Sequence, residues 1–163
     1  MGIPYSVFTM VDLNYGWMMQ SFGLVRMQLD HKPVYLRPKF YAVQHVTSLL
    51  TPDIVPDNEV TVESACGRKI ACVGLKKGEE TVGCALWFCD DIPSGDLEWQ
   101  TVNVKISGIT APKHVTYVDM LSGKMHSLPC LKYKGSVDPD GTLSISSMPL
   151  SDWPVVIINS AAL

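Results

Sequence analysis

Hydrophobic positions follow two different periods along this chain. In "RPKFYAVQHVTSLL", residues 37–50, Ala42, Val43, Val46, Leu49 and Leu50 recur at three- and four-residue intervals, which places them on one helical face. Pro38 suits a first helical turn, where its missing N–H costs nothing. Thr51-Pro52 ends the segment, because the residue before a proline avoids the helical region. The pattern predicts one helix over 38–50, followed by a linker, "PDIVPDN".

From Glu59 onward the period changes to two. Strands are expected at "VTVESA" (60–65), "KIACVGLK" (69–76), "ETVGCALWFC" (80–89), "WQTVNVKIS" (99–107), "KHVTYVDML" (113–121), "KMHSLPCLK" (124–132), "TLSISSM" (142–148) and "PVVIIN" (154–159). The turn sequences "KKGEE", "DDIPSGD", "LSGK", "DPDG" and "LSDWP" separate them. About eight short strands at this spacing predict an all-β fold, an antiparallel β-sandwich with one N-terminal α-helix. Before the helix, "IPYSVFTMVDL" reads as a strand broken by "NYGW", and "SFGLVRMQLD" as a second extended piece. The expected organisation is an N-terminal segment over 1–52 and a sandwich over 53–163.

The alternation also sorts side chains into faces. In "EWQTVNVKI", Val102, Val104 and Ile106 are predicted inward, and Trp99 shares parity with Thr101, Asn103 and Lys105 on the wet face. The alternative is that Trp99 precedes the strand and plugs the end of the core. In "VGCALWF", Val82, Cys84, Leu86 and Phe88 alternate with Gly83, Ala85, Trp87 and Cys89, and either set fits the inside. Burial is favoured for Trp87, since sandwiches readily enclose a tryptophan. Trp153, in the closing turn, is expected to cover the sandwich end.

Composition narrows the partners. The chain has 163 residues, 47% apolar and 18% charged, with a net charge of -3, enough for one globular core and unlike a disordered chain. No Lys/Arg run is present, so a nucleic-acid partner has little electrostatic basis. The longest apolar runs fall short of a membrane span, so no membrane partner is expected. The N-terminus lacks the basic and apolar regions of a secretory signal, as would a domain cut from a larger secreted enzyme. The five cysteines, Cys66, Cys72, Cys84, Cys89 and Cys130, form no C-x-x-C pair, and no histidine lies at zinc-ligand spacing. Structural thiols are the favoured reading, with Cys84 and Cys89 as small buried hydrophobes.

Several stretches together resemble a known family. "FGLVRMQLDHKPVYLRPKFYAVQHVTSLL" resembles the final helix region of the (β/α)8 barrel of clan-A glycoside hydrolases: Gly23-Leu24-Val25-Arg26, then Lys32-Pro33-Val34-Tyr35, then Phe40-Tyr41-Ala42-Val43-Gln44. "IPYSVFTMVDLNY" resembles the last barrel strand and its active-site loop. "ETVGCALWFCDD", "VTYVDMLSGKMHSL" and "LSDWPVVI" resemble strands of the accessory β-sandwich that follows such barrels. The resemblance implies that the helix is a joint between barrel and sandwich, and that the parent protein is secreted or extracellular. A barrel needs about 200 residues or more, and only about 50 precede the sandwich. The helix face would then dock on its own sandwich or mediate a homodimer through 38–50.

The chemistry follows the same division. Glycoside hydrolysis uses two carboxylates flanking the sugar, and the resemblance puts both on barrel strands outside this sequence. Asp12 and Asp30 are candidate barrel-loop acids with no evident pairing. Asp90-Asp91 read as a solvated loop. His31, His45, His114 and His126 have no assignable nucleophile partner. "DPDGTLS" (138–144) is similar to a calcium loop but lacks the downstream glutamate, so a hairpin turn is favoured; no cofactor is expected, with a structural Ca2+ as the alternative.

Aromatic residues offer a different chemistry. A flat ring can stack on the C–H face of a sugar while nearby polar groups take its hydroxyls. The candidate ligand-binding residues are Trp99, Trp87 and Asn103 in the sandwich, with Tyr15 and Trp17 on the barrel-loop side of the resemblance. The expected function is a non-catalytic module binding a polysaccharide such as β-glucan or xylan. The alternatives are an accessory sandwich that braces a barrel and holds no ligand, and a small glycoside hydrolase with an unrecognised active site.

Overall fold

The computed structural model describes residues 9–90, 99–110, 114–128 and 134–160. The chain divides into two compact units, Met1–Leu49 and Leu50–Leu163.

The first unit is built from short ladders and one helix. Strands β1 (Leu13–Asn14) and β2 (Met19–Gln20) form a hairpin, and β3 (Val25–Met27) pairs antiparallel with β4 (Pro33–Leu36). Helix α1 runs over Pro38–Leu49, one residue shorter than predicted, and stops just before Thr51-Pro52. None of its residues is buried: Val43 and Leu49 are half-buried and Val46 is exposed.

What the unit does bury is small and polar. Among the described residues before Leu50, the buried ones are Asp12, Gly23 and Leu24. Gly23 is required by proximity. A Cβ there would lie 2.2 Å from the carbonyl carbon of Val11 and 2.3 Å from the amide nitrogen of Asp12, where real Cβ atoms are not found. Twelve of the seventeen exposed large hydrophobic side chains among the described residues belong to this unit, Trp17, Leu29 and Met10 being the most exposed.

The second unit is an antiparallel β-sandwich. Its strands are β5 (Ile54–Asp57), β6 (Thr61–Ser64), β7 (Ile70–Lys77), β8 (Glu80–Phe88), β9 (Gln100–Ser107), β10 (Val115–Asp119), β11 (Met125–Ser127), β12 (Lys134–Val137), β13 (Leu143–Leu150) and β14 (Val155–Asn159). One sheet has the order β11-β10-β14-β8-β7-β5 and the other β12-β13-β9-β6. The core lies between them: Leu86 and Phe88 from β8, Tyr117 from β10 and Ile157 from β14 meet Val104 and Ile106 from β9 and Ile145 and Met148 from β13. Tyr117 also donates its hydroxyl across the sandwich to the carbonyl of Pro149, at 3.2 Å, so this buried phenol is satisfied.

Eight strands were expected and each has a counterpart, but two were missed. "PDIVPDN" is not a linker: Ile54–Asp57 is the edge strand β5, where Pro56 is tolerated because an edge position need not donate to a second neighbour. Asp57 is buried there, accepting hydrogen bonds from the Thr81 hydroxyl and the Glu59 amide. The strand β12, Lys134–Val137, falls in the gap between the expected strand 124–132 and the "DPDG" turn. Cys89, expected to be buried, is exposed past the end of β8. Cys130 and Asp91 lie outside the described residues.

Strand β13 departs from simple alternation. Leu143 and Ile145 point inward, then Met148 and Leu150 do, with Ser146 and Ser147 both exposed between them. The ladder to β9 slips between Ile145 and Met148, a bulge that resets which residues face the core. Ser147 takes a left-handed backbone, φ 56°, and Asn103 on β9 accepts a hydrogen bond from its amide at 2.9 Å.

Candidate functional site

The outer face of the four-stranded sheet carries a polar groove. It is open, about 480 Å³, and lined by Glu63, Ser64 and Ala65 at the end of β6, Asn103 and Lys105 on β9, and Ser144 and Ser146 on β13, with Val104 and Ile145. Its polarity follows from the pleat. On β9 Val102, Val104 and Ile106 are buried while Thr101, Asn103 and Lys105 are exposed, as the alternation predicts. Glu63 lies directly opposite Lys105 in the β6–β9 ladder, and Ser144 lies opposite Lys105 on the other side. Ser146 shares the outward parity of Ser144, and the bulge in β13 exposes Ser147 as well, with Asn103 as its clasp. The asparagine oxygen is occupied by Ser147; its amide NH2 remains the part that faces outward chemistry.

The five residues named from sequence do not converge. Asn103 alone lines this groove. Trp99 lies immediately ahead of β9 and is 42% exposed, so it does not plug the core. Along an extended strand it stands about 13 Å from Asn103. Trp87 belongs to the other sheet. With Leu86 and Phe88 in the core, its side chain points to the opposite face, beside the pairing partners Val73 and Val156 of its neighbour Ala85, and it is half-buried rather than enclosed. Tyr15 and Trp17 form the tip of the β1–β2 hairpin in the first unit, where Tyr15 N donates to Met18 O and the Trp17 side chain is 80% exposed. Trp153 is also exposed instead of covering the sandwich end.

The sequence reading missed Glu63, Ser144 and Ser146. Glu63 was within reach, since its parity in β6 opposes that of Val62, which packs on the core. Ser144 and Ser146 were within reach too, since both oppose the parity of Leu143 and Ile145; the bulge reverses alternation only beyond them, at Ser147 and Met148.

The carboxylates of the first unit are engaged. Asp12 is buried and accepts hydrogen bonds from Gly23 N (3.0 Å), from Met27 N (3.2 Å), from Arg37 Nη2 on both of its oxygens (3.0 and 2.8 Å), and from Arg26 Nη1 at 3.4 Å. Burial pushes its carboxyl up, but the Met27 amide, the Arg37 guanidinium and the Gly23 amide outweigh it and hold the group below its ordinary value. Asp12 is thus a clasp between the strands and the residue preceding α1, with no lone pair directed at an open cleft. Asp30 is exposed and paired with Lys32 at 2.9 Å, which lowers its pKa. In the sandwich, Asp90 receives a bidentate contact from Arg68, whose guanidinium also lies 4.1 Å from the Phe88 ring centroid.

The 138–144 stretch is a hairpin turn. Asp138 N donates to Thr142 O, Gly141 N to Asp138 O, and Asp138 accepts from the Ser144 hydroxyl. Among the described residues no cluster of three or more His, Cys, Asp or Glu side chains could hold a metal ion, and no described helix is long and apolar enough to cross a membrane.

No protein-family model matches the chain, and no curated protein matches it. A solved structure of a family 39 glycoside hydrolase from the gut symbiont Bacteroides cellulosilyticus WH2 is similar to it, with 18% sequence identity and a TM-score of 0.49. The match covers 86% of this chain and 22% of that one.

Proposed function

We propose that this chain is a glycoside-hydrolase-associated segment whose sandwich binds polysaccharide, without hydrolysing it, on the outer face of the four-stranded sheet. The observation that carries the reading is the combination of an exposed indole, Trp99, at the head of β9 with an open polar groove further along the same strand. The ring offers a stacking surface, and Asn103, Ser144, Ser146 and the Glu63/Lys105 pair offer donors and acceptors for hydroxyl groups. Opposite charges facing each other across β6 and β9 suit a neutral glycan such as β-glucan or xylan better than a charged one.

Retardation of the protein in native gels containing soluble β-glucan, xylan or mannan tests this. The wild type is expected to be retarded by at least one. Trp99→Ala should abolish the retardation and leave the melting temperature nearly unchanged, since an exposed side chain holds little of the core. Absence of retardation by every glycan refutes the reading. Unfolding of Trp99→Ala would place the ring's role in packing instead.

A second reading, a bracing domain with no ligand of its own, is favoured by the first unit. Its exposed apolar side chains and its helix without a buried residue are the surface of a segment that packs against something else. The same gels separate the two, because a brace is retarded by none.

A further inference from the structure

We propose that the outer face of the four-stranded sheet selects its glycan by chain length, taking a run of about four or more linked rings laid along β9 and not a single sugar. This rests on the carbohydrate-binding reading above and adds the size of ligand that the surface holds.

The pleat of β9 sets the scale. Residues on one face of a strand recur about every 6.6 Å, so Trp99, Thr101, Asn103 and Lys105 mark a line about 20 Å long. Thr101, Asn103 and Lys105 are exposed along it, as is Trp99 at its head, while Val102, Val104 and Ile106 between them are buried.

The two halves of the line differ in chemistry. Near Trp99, Thr101 lies opposite the half-buried Pro149 of β13. On the other side β6 stops short of this half, since its last residue, Ser64, lies opposite Val104. An indole, a threonine methyl and a proline ring suit the C–H faces of sugar rings. Near Lys105 strands flank the line on both sides, with Glu63 of β6 and Ser144 of β13 opposite that lysine. Just beyond, the Ser107 and Thr142 hydroxyls are hydrogen-bonded at 3.1 Å. Carboxylate, ammonium and hydroxyl groups there suit the hydroxyl rim of a sugar.

Neither half holds a sugar well alone. The indole offers one flat face, and in the open groove each hydrogen bond to sugar replaces one to water, so the net gain per bond is small. A single ring engages one half only. A chain that spans both loses its translational and rotational freedom once for the two sets of contacts. With single bonds about 1.5 Å long, a 1,4-linked six-membered ring and its bridging oxygen advance a chain by about 5 Å. Three rings therefore reach from Trp99 to Asn103, and a fourth reaches Lys105.

The test uses the whole chain. Gel retardation identifies a glycan, and oligosaccharides of one to six rings from that glycan are then titrated calorimetrically. One- and two-ring sugars should give no measurable binding and three-ring ones weak binding. Four rings should bind about fivefold or more tighter than three, with little further gain at five and six. Lys105→Ala should remove the gain from three rings to four and leave the three-ring affinity unchanged; the side chain is exposed, so the fold survives the change. Retardation by no glycan overturns the carbohydrate reading and this inference together. Retardation by a glycan whose one- or two-ring fragments bind as tightly as four rings overturns the length requirement alone. So does a Lys105→Ala protein that keeps the gain from three rings to four.

Discussion

Replacing Asp12 by Asn keeps the shape of the side chain and removes its charge and one acceptor. Whichever way the new amide turns, its NH2 group faces a donor: the Gly23 amide on one side, or the Met27 amide and Arg26 on the other, with Arg37 against both. Breaking one partner of a buried ion pair costs about 3–5 kcal/mol, and the orphaned amide is included in that range. The unit over Met1–Leu49 buries so little else that a folded stability of about 2–7 kcal/mol is the most its length supports. The substitution should therefore open the unit. A loss of about 3 kcal/mol raises the opening equilibrium roughly 100-fold. Hydrogen exchange reads this directly, because the amides of Gly23 and Met27 donate to Asp12, and those of Val25 and Arg37 donate to the carbonyls of Met10 and Leu24. Protection at all four should fall together, while Val104 and Ile157 in the sandwich core keep theirs. Acid should act in the same direction. The folded pKa of Asp12 lies below its unfolded value, so its contribution is present above about pH 4 and is lost as pH falls through the folded pKa. Equal protection in Asp12→Asn and wild type would refute the clasp.

Three further outcomes follow from the packing. Gly23→Ala forces a methyl group into the backbone of Val11 and Asp12, which cannot swing aside, and should cost about 3 kcal/mol or more by the same exchange measurement. Leu86→Ala empties a fully buried site between the sheets and should lower the urea midpoint by the equivalent of about 2–5 kcal/mol, with an unchanged slope. Asn103→Ala leaves the exposed Ser147 amide to water and should cost about 1 kcal/mol, whereas Ser147→Gly relieves the left-handed backbone and should raise the midpoint by a similar amount; no change in either would mean that the bulge stands without its clasp.

The sandwich was legible because burial on one face writes itself into a two-residue period. Val102, Val104 and Ile106 alternate with Thr101, Asn103 and Lys105, and the structure places them inside and outside accordingly. The helix was legible from the spacing of its apolar residues and the proline at each end. Three kinds of feature were not. In "VGCALWF" both faces are apolar, because β8 lies in mid-sheet between β14 and β7, so only the opposing sheet decided that Leu86 and Phe88 go in and Trp87 goes out. The bulge at Ser146–Ser147 depends on pairing with β9, and without it neither the inward turn of Met148 nor the clasp of Asn103 on Ser147 can be read. The role of Asp12 was hidden for the same reason: its partners Gly23, Met27 and Arg37 lie 11, 15 and 25 residues away, and a carboxylate in isolation looks alike whether it is poised for chemistry or enclosed by donors. Local period is a property of neighbours in the chain; what an individual side chain faces is decided by segments distant in sequence and adjacent in space.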